Sequence, residues 1–459
     1  MSQSAFSERL SAWATAEVLD VGAQAYESAR TSLIDTLACM YLGTSMPQPR
    51  AVVAALDASG DTGPSVPVGG GVGRTLTGAA LVNGARAHAL DFDDYELSGS
   101  SHASGPIFSA LFSLASARGL SIHQVCEAWL VGHETVVQMG RALGYGHYDK
   151  GWHSTLTLGP IGVAAAAGRA LSLSQAQMAN AMALASSSAA GSLRQTGSHA
   201  KAIHEGLAAQ AGLQAALMAQ RGATANTVIW DIASGFASLY GTDSSPGFDA
   251  AIADAELGLG TERFPVIRKL WPSCAYTQRP IAGAEAVAAQ LLDEEKITRV
   301  RYHMPRPFHQ VARFDIPGND AEARFSVPYC LAAGLLSGHV TPDDFEPAAF
   351  NDPARQALAA KVELELYELP PGHSGDIGPT SPEFLIVTLS SGRVLEREER
   401  AVPGGADLPM TETQLLQKVS DCGLSVDEAQ SLLRADSAEA LTRCALFTST
   451  APFTGHNAA

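Results

Sequence analysis

Residues 159–185 read GPIGVAAAAGRALSLSQAQMANAMALA. Alanine, glycine, leucine and serine dominate, at helical spacing. The same texture runs from Ala79 to Ala225. Small residues on many faces let helices approach closely, so this stretch predicts the buried core of a large helical domain. Ser172–Gln175 has the S-x-x-Q form of a capping box, in which hydroxyl and amide each satisfy an unpaired backbone N–H. The helix expected after it, over 176–185, carries only Gln177 and Asn180 as polar residues and should be buried on most sides.

Upstream, residues 1–60 predict two or three helices, one over Val21–Leu42 with Leu33, Ile34, Leu37 and Tyr41 on its apolar face. Between Ser59 and Gly78 lies GGGVGRTLTG. A phosphate loop needs GxxxxGK[ST], and no Lys follows, so a hairpin or tight loop is expected. Downstream of about Phe264 the period changes from 3.6 to 2. Val300, Tyr302 and Met304 alternate. Val362, Leu364, Leu366 and Leu369 sit in VELELYEL, where Glu363 and Glu365 take the other face. Phe384–Leu389 and Arg393–Glu396 flank SSG as a hairpin. The expected class is mostly α with an α+β second domain. The division is a helical domain over 1–264, with 405–459 packing back on it, and a smaller α+β lid domain over 265–404.

Of the 459 residues, 46% are hydrophobic and 17% charged, and the net charge is −17. No nucleic-acid partner is expected, because that would need a basic stripe. An anionic small substrate remains compatible if a locally positive pocket sits inside the acidic shell. No apolar run reaches bilayer length, and MSQSAFSERLSAWATAEVL has no basic segment followed by an apolar one. Cys39, Cys126, Cys274, Cys330, Cys422 and Cys444 form no CxxC pair, which reads as reduced thiols in a cytoplasmic protein.

Five stretches can carry chemistry. The first is Asn83–Asp94 followed by His102. Its aspartates Asp91, Asp93 and Asp94 are costly to bury unless paired. They cap a helix on one reading. On another they resemble the magnesium motif of helical terpenoid synthases, but DDxxD is broken by Leu97, and no metal is expected. The second is Gly151-Trp152-His153-Ser154-Thr155, where a histidine and hydroxyls at a helix entrance suit an anion. The third is Lys201-Ala202-Ile203-His204-Glu205-Gly206, with Lys201 and His204 on one helix face. The fourth is Arg268-Lys269-Leu270-Trp271-Pro272 at the domain boundary, a common place for substrate. The fifth is Phe325-Ser326-Val327-Pro328-Tyr329. Each also has a structural reading: a satisfied histidine, a solvated lysine, a linker, a packing tyrosine.

Taken in order, these motifs resemble the MmgE/PrpD family. The shared pieces are Ile34–Leu37, the NGxxxHxLDFDD run with His102, GWHST, K-x-x-H-x-G at 201–206, K-x-[aromatic]-P-x-C at 269–274 and FSxxY at 325–329. The resemblance implies a helical domain made from N- and C-terminal segments, an α+β lid, a homodimer, an active site between the domains, and no metal or organic cofactor. Activities in the family include dehydration of 2-methylcitrate, decarboxylation of cis-aconitate and epimerisation of iminodisuccinate. It places Asp91, His102, His153, Lys201, Lys269 and Tyr329 at pocket-lining positions. His102 or His153 would be the base, Tyr329 the acid, Lys201 and Lys269 a clamp for developing carboxylate charge, and Asp91 the group orienting a histidine. Arg268, Asp94, Tyr95, His204 and Ser154 would meet substrate.

The dehydratases and decarboxylases usually reach His-Pro after DFDD. Here the run is Tyr95-Glu96 and then His102-Ala103. That departure favours an epimerase of an iminodisuccinate-like dicarboxylate. A 2-methylcitrate-type hydro-lyase or a cis-aconitate-type decarboxylase is the alternative, and a non-catalytic carboxylate-binding protein a remote one.

Overall fold

The computed structural model describes residues 4–292, 294–370 and 377–448. The chain divides into two compact units. One takes Met1–Ala89, Asp93–Val266 and Leu415–Ala459; the other takes Leu90–Phe92 and Ile267–Gln414.

The first unit is helical. It opens with helices Ala5–Ala14, Ala23–Gly43 and Pro47–Ala58. Leu33, Ile34, Leu37 and Tyr41 are buried in the second of these, as their spacing predicts. Residues 59–75 form a tight loop in which Ser65 pairs with Arg74. The loop ends earlier than expected: Thr75 caps a helix over Leu76–Ala87, so Leu76, Thr77 and Gly78 already lie in it.

Helix Gly159–Ala170 is buried from Gly159 to Gly168. It packs against helices Ser104–Arg118, Ile122–Leu143 and His199–Gln220. The capping box beyond it sits two residues later than expected. Ser174, with Gln177, caps helix Gln175–Ala185. Both serines fit the pattern, but Ser172 has φ 54°, and an N-cap needs extended backbone. The C-terminal segment belongs to this unit through Lys418, whose Nζ lies 2.7 Å from Asp35 Oδ1 on helix Ala23–Gly43.

The second unit carries a mixed four-stranded sheet. Its strands are β1 (Ile297–Pro305), β2 (Val362–Tyr367), β3 (Glu383–Leu389) and β4 (Val394–Glu399), in the order β2-β1-β3-β4. β1 and β2 are parallel; β1–β3 and β3–β4 are antiparallel. Val300, Tyr302 and Met304 are fully buried on β1, and Leu385, Val387 and Leu389 are buried on β3. Helices Gln278–Ala288 and Val327–Ser337 pack on the sheet.

Strand periodicity puts Glu383 on the same buried face as Leu385. Its carboxyl accepts from Tyr302 Oη at 2.6 Å and lies 3.4 Å from Arg279 Nη1. Burial pushes its pKa up to about 7, although Arg279 pulls the other way. An acid with a raised folded value is protonated first in the folded state. Its folding penalty is absent below the unfolded pKa, grows as pH rises through the window up to about 7, and is complete above it. That penalty is about 3–4 kcal/mol. Glu383→Gln, which keeps a partner for Tyr302, should therefore raise the melting temperature at pH 8 and change it little at pH 4. Thermal melts across that range check it.

Candidate active site

The site begins where two helices cross without side chains between them. A Cβ on Gly84 of helix Leu76–Ala87 would lie 2.5 Å from the Gly206 nitrogen. A Cβ on Gly206 of helix His199–Gln220 would lie 2.3 Å from the Leu81 carbonyl oxygen. The glycines let the backbones touch, which brings Lys201, His204 and Glu205 to His88 at the end of the neighbouring helix. Gly206→Ala should force the helices apart. We expect a loss of about 1–3 kcal/mol in urea unfolding, the usual cost of overpacking, with a parallel loss of activity.

A hydrogen-bonded line runs through this crossing. Lys201 Nζ is 2.7 Å from His88 Nε2. His88 Nδ1 is 2.8 Å from Asp93 Oδ1, and Asp93 Oδ2 is 2.7 Å from His102 Nδ1. An ammonium only donates, so His88 Nε2 accepts and its proton sits on Nδ1, toward Asp93; the tautomer follows from the partners. Burial brings the His88 pKa down to about 4, with Asp93 opposing and Lys201 assisting. Burial pushes Asp93 up, but His102 and His88 together hold it well below the carboxylate range.

His153 precedes the short helix Ser154–Thr157. Its Nδ1 is 2.9 Å from His204 Nδ1. Burial, then Lys201 and His88, keep it neutral, and burial with His88 and Lys201 brings His204 to about 4. His153 Nε2 and Ser154 Oγ are buried with no hydrogen-bond partner among the described residues. The His88 and His153 rings stack at 5.9 Å, and those of His88 and His102 meet edge-on at 4.4 Å. His102 keeps 12% of its side chain exposed. The Tyr95 ring is 6.2 Å from that of His102. One buried region thus holds a cation, a neutral imidazole with a free nitrogen, and an imidazole on a carboxylate.

The three aspartates of DFDD separate. Asp91, expected to orient a histidine, is seen paired with a lysine. It counts with the second unit, where Lys269 Nζ donates to its carbonyl at 2.6 Å and its Oδ1 at 2.8 Å. Asp91 has φ 55°, a left-handed conformation that Asp tolerates better than most residues. Fully buried Lys269 is therefore engaged in holding that turn. Asp93 is the carboxylate between the histidines. Asp94 accepts from Ser32 Oγ at 3.1 Å and Ser104 Oγ at 2.6 Å, so this oxygen faces protein where a substrate contact was expected.

Tyr329 stands in the core of the second unit beside Phe345 and Phe350. Its hydroxyl donates to the Asp344 carbonyl at 2.5 Å, and burial raises its pKa to about 12. Within this unit Tyr329, expected as the acid, packs among aromatic rings with its hydroxyl proton donated to a carbonyl. Arg268 is half-buried, and its backbone N–H donates to the Gly404 carbonyl. Glu96, fully buried, binds the hydroxyl of Ser98 and the N–H of Gly99, closing its own turn.

Two residues without an assigned role in the sequence reading matter here, His88 and Glu205. Glu205 could have been noticed as a lone carboxylate in an Ala- and Gly-rich helix. His88, Asp93, His102 and Glu205 present ligand atoms within 4.8 Å of one another, a donor set a divalent cation accepts. However, Lys201 turns the lone pair of His88 toward itself and leaves Nδ1 protonated. The arrangement suits a proton network better than a metal.

Residues 8–249 match the MmgE/PrpD N-terminal domain and residues 271–440 the MmgE/PrpD C-terminal domain. The chain is 29% identical to the cis-aconitate decarboxylase of Homo sapiens over 390 residues, covering 81% of this chain and 78% of that protein. It is 28% identical to the enzyme of Mus musculus over 361 residues, 74% and 70% of the two chains. With cis-aconitate decarboxylase of Aspergillus terreus it shares 25% over 296 residues, 62% and 60% of the two. Both domain matches fall in family order and take in every residue of the lysine–histidine–aspartate line, so the chain belongs to the MmgE/PrpD family.

Proposed function

We propose that this chain is a lyase acting on a small tricarboxylate, with decarboxylation of a cis-aconitate-type acid as its reaction. The observation that carries the acid–base part is Lys201, buried and hydrogen-bonded to His88, beside a neutral His153 whose Nε2 is free. Loss of CO2 leaves an electron pair that spreads over the adjacent double bond and a neighbouring carboxylate. The ammonium of Lys201, near the start of helix His199–Gln220, stabilises that charge where water is excluded. His102, held by Asp93, supplies the proton to carbon.

Decarboxylation takes precedence over epimerisation for two reasons. The similar characterised proteins named above are decarboxylases. The further carboxylate that set this chain apart, Glu96, is taken up by Ser98 and Gly99.

The test is incubation with cis-aconitate in deuterated water. CO2 release in step with an alkene product bearing one deuterium on carbon is expected. Hydration or dehydration without CO2 would shift the assignment to a hydro-lyase. Exchange and racemisation of a chiral iminodicarboxylate, with cis-aconitate untouched, would restore the epimerase. No turnover of any of them, with binding retained, would leave a carboxylate-binding protein.

A further inference from the structure

Glu205 is fully buried, and neither of its oxygens has a hydrogen-bond partner among the described residues. Its Oε1 lies 3.4 Å from His88 Nδ1, and its carboxyl faces that of Asp93. The His88 nitrogen is already 2.8 Å from Asp93. An ionised carboxylate in that position would be desolvated beside a second carboxylate, with only Lys201 in partial compensation. A neutral carboxyl needs only one acceptor for its proton, and Asp93 lies in the same 4.8 Å cluster.

The surroundings are built to admit the group. A Cβ on Gly105, at the start of helix Ser104–Arg118, would lie 2.0 Å from Glu205 Oε2. The charged and titratable groups around Glu205 come from every neighbouring segment. They are Lys201 and His204 on its own helix, His88, Asp93 and Asp94 on the preceding turn, and His102 beside them.

We propose that Glu205 is a positioning acid of this site: it stays neutral and donates its proton to Asp93, so that the two carboxyls share one negative charge between His88 and His102. Burial, then Asp93, raise its pKa well above the usual range, and Lys201 opposes them without prevailing. In this arrangement Asp93 is fixed from a third side. Part of its charge is also drawn off, which keeps the histidines from becoming too basic. The role rests on the acid–base reading above, but its first test needs no turnover.

The infrared difference spectrum between the wild type and Glu205→Gln at pH 7 should show the carbonyl stretch of a protonated carboxylic acid, persisting at pH 8. Gly105→Ala, which evicts the carboxyl, should lose the same band. Carboxylate bands in its place would overturn the proposal. So would a stoichiometric divalent metal in the purified protein whose occupancy depends on Glu205. In turnover, Glu205→Gln still donates a hydrogen bond and should keep kcat within a fewfold of wild type with an unchanged pH profile. Glu205→Leu should move the acid limb of kcat/KM upward by about half a pH unit or more, because Asp93 then charges its histidines fully. A Leu variant that is less stable but has an unmoved profile would make Glu205 mere filler. If Leu does not fold, the infrared comparison decides. If no substrate turns over, the functional reading fails while the infrared result still stands for or against Glu205.

Discussion

Lys201→Ala is expected to lower kcat by about 10²–10³-fold while the protein stays folded, the range found when one preplaced electrostatic donor is removed. Lys201 is 9% exposed, and its Nζ is 2.7 Å from His88 Nε2. It is the cation at the centre of the histidine cluster, so its charge acts mainly on the transition state, where a carboxylate becomes more negative. KM should therefore rise less than kcat falls. Two secondary effects follow. Lys201 is among the groups that hold His153 and His204 below their ordinary pKa. Without it both should titrate at higher pH, and the acid limb of the rate profile should move up. Lys201→Arg should not restore activity, because the guanidinium is wider and its donors point elsewhere. Small primary amines added to the alanine variant should recover part of the rate. A wild-type kcat with only KM raised would show that Lys201 holds the ground state alone.

The largest stability effect is expected at the buried pair that joins the C-terminal segment to helix Ala23–Gly43. Lys418 Nζ is 2.7 Å from Asp35 Oδ1, with both side chains at 1% exposure or less. Burial alone would push the Lys418 pKa down, yet Asp35, then Cys39, outweigh it and leave it raised. Lys418→Ala removes the cation from a fully buried carboxylate, and the loss should be about 3–5 kcal/mol. Denaturant unfolding measures it. The double change Asp35→Leu with Lys418→Met should recover most of the loss, since neither charge remains to be desolvated. The sign of the pH dependence is fixed. A lysine whose folded pKa is raised contributes fully below its unfolded value and loses the contribution only as pH rises through the folded one. Between pH 6 and 9 its contribution should therefore be constant. A double variant no more stable than Lys418→Ala would mean that the segment is held by packing alone.

Much of the architecture could be read from residue spacing. The 3.6 period of 159–185 gave helices, and the period of 2 at 300–304, 362–366 and 384–389 gave strands, because these repeats are properties of the local backbone. Lys201, His153 and His102 stood out because each stands in a run with its own chemistry, and the structure gathers them around His88. The capping box between Ser172 and Ser174 was not, since two registers fit and only the left-handed φ of Ser172 separates them.

The division of labour among Asp91, Asp93 and Asp94 belongs to the tertiary structure. In an irregular turn no repeat dictates which way a side chain points. Asp91 is turned by its φ of 55° toward Lys269, far along the chain. Asp93 is claimed by His88 and His102, and Asp94 by Ser32 and Ser104. Glu205 joins them only because Gly84, Gly206 and Gly105 leave room for backbones to meet. Local sequence decided which segments coil and which extend. Long-range contact decided which carboxylate meets which base, since a charge removed from water takes its orientation from whatever partner the folded chain brings within reach.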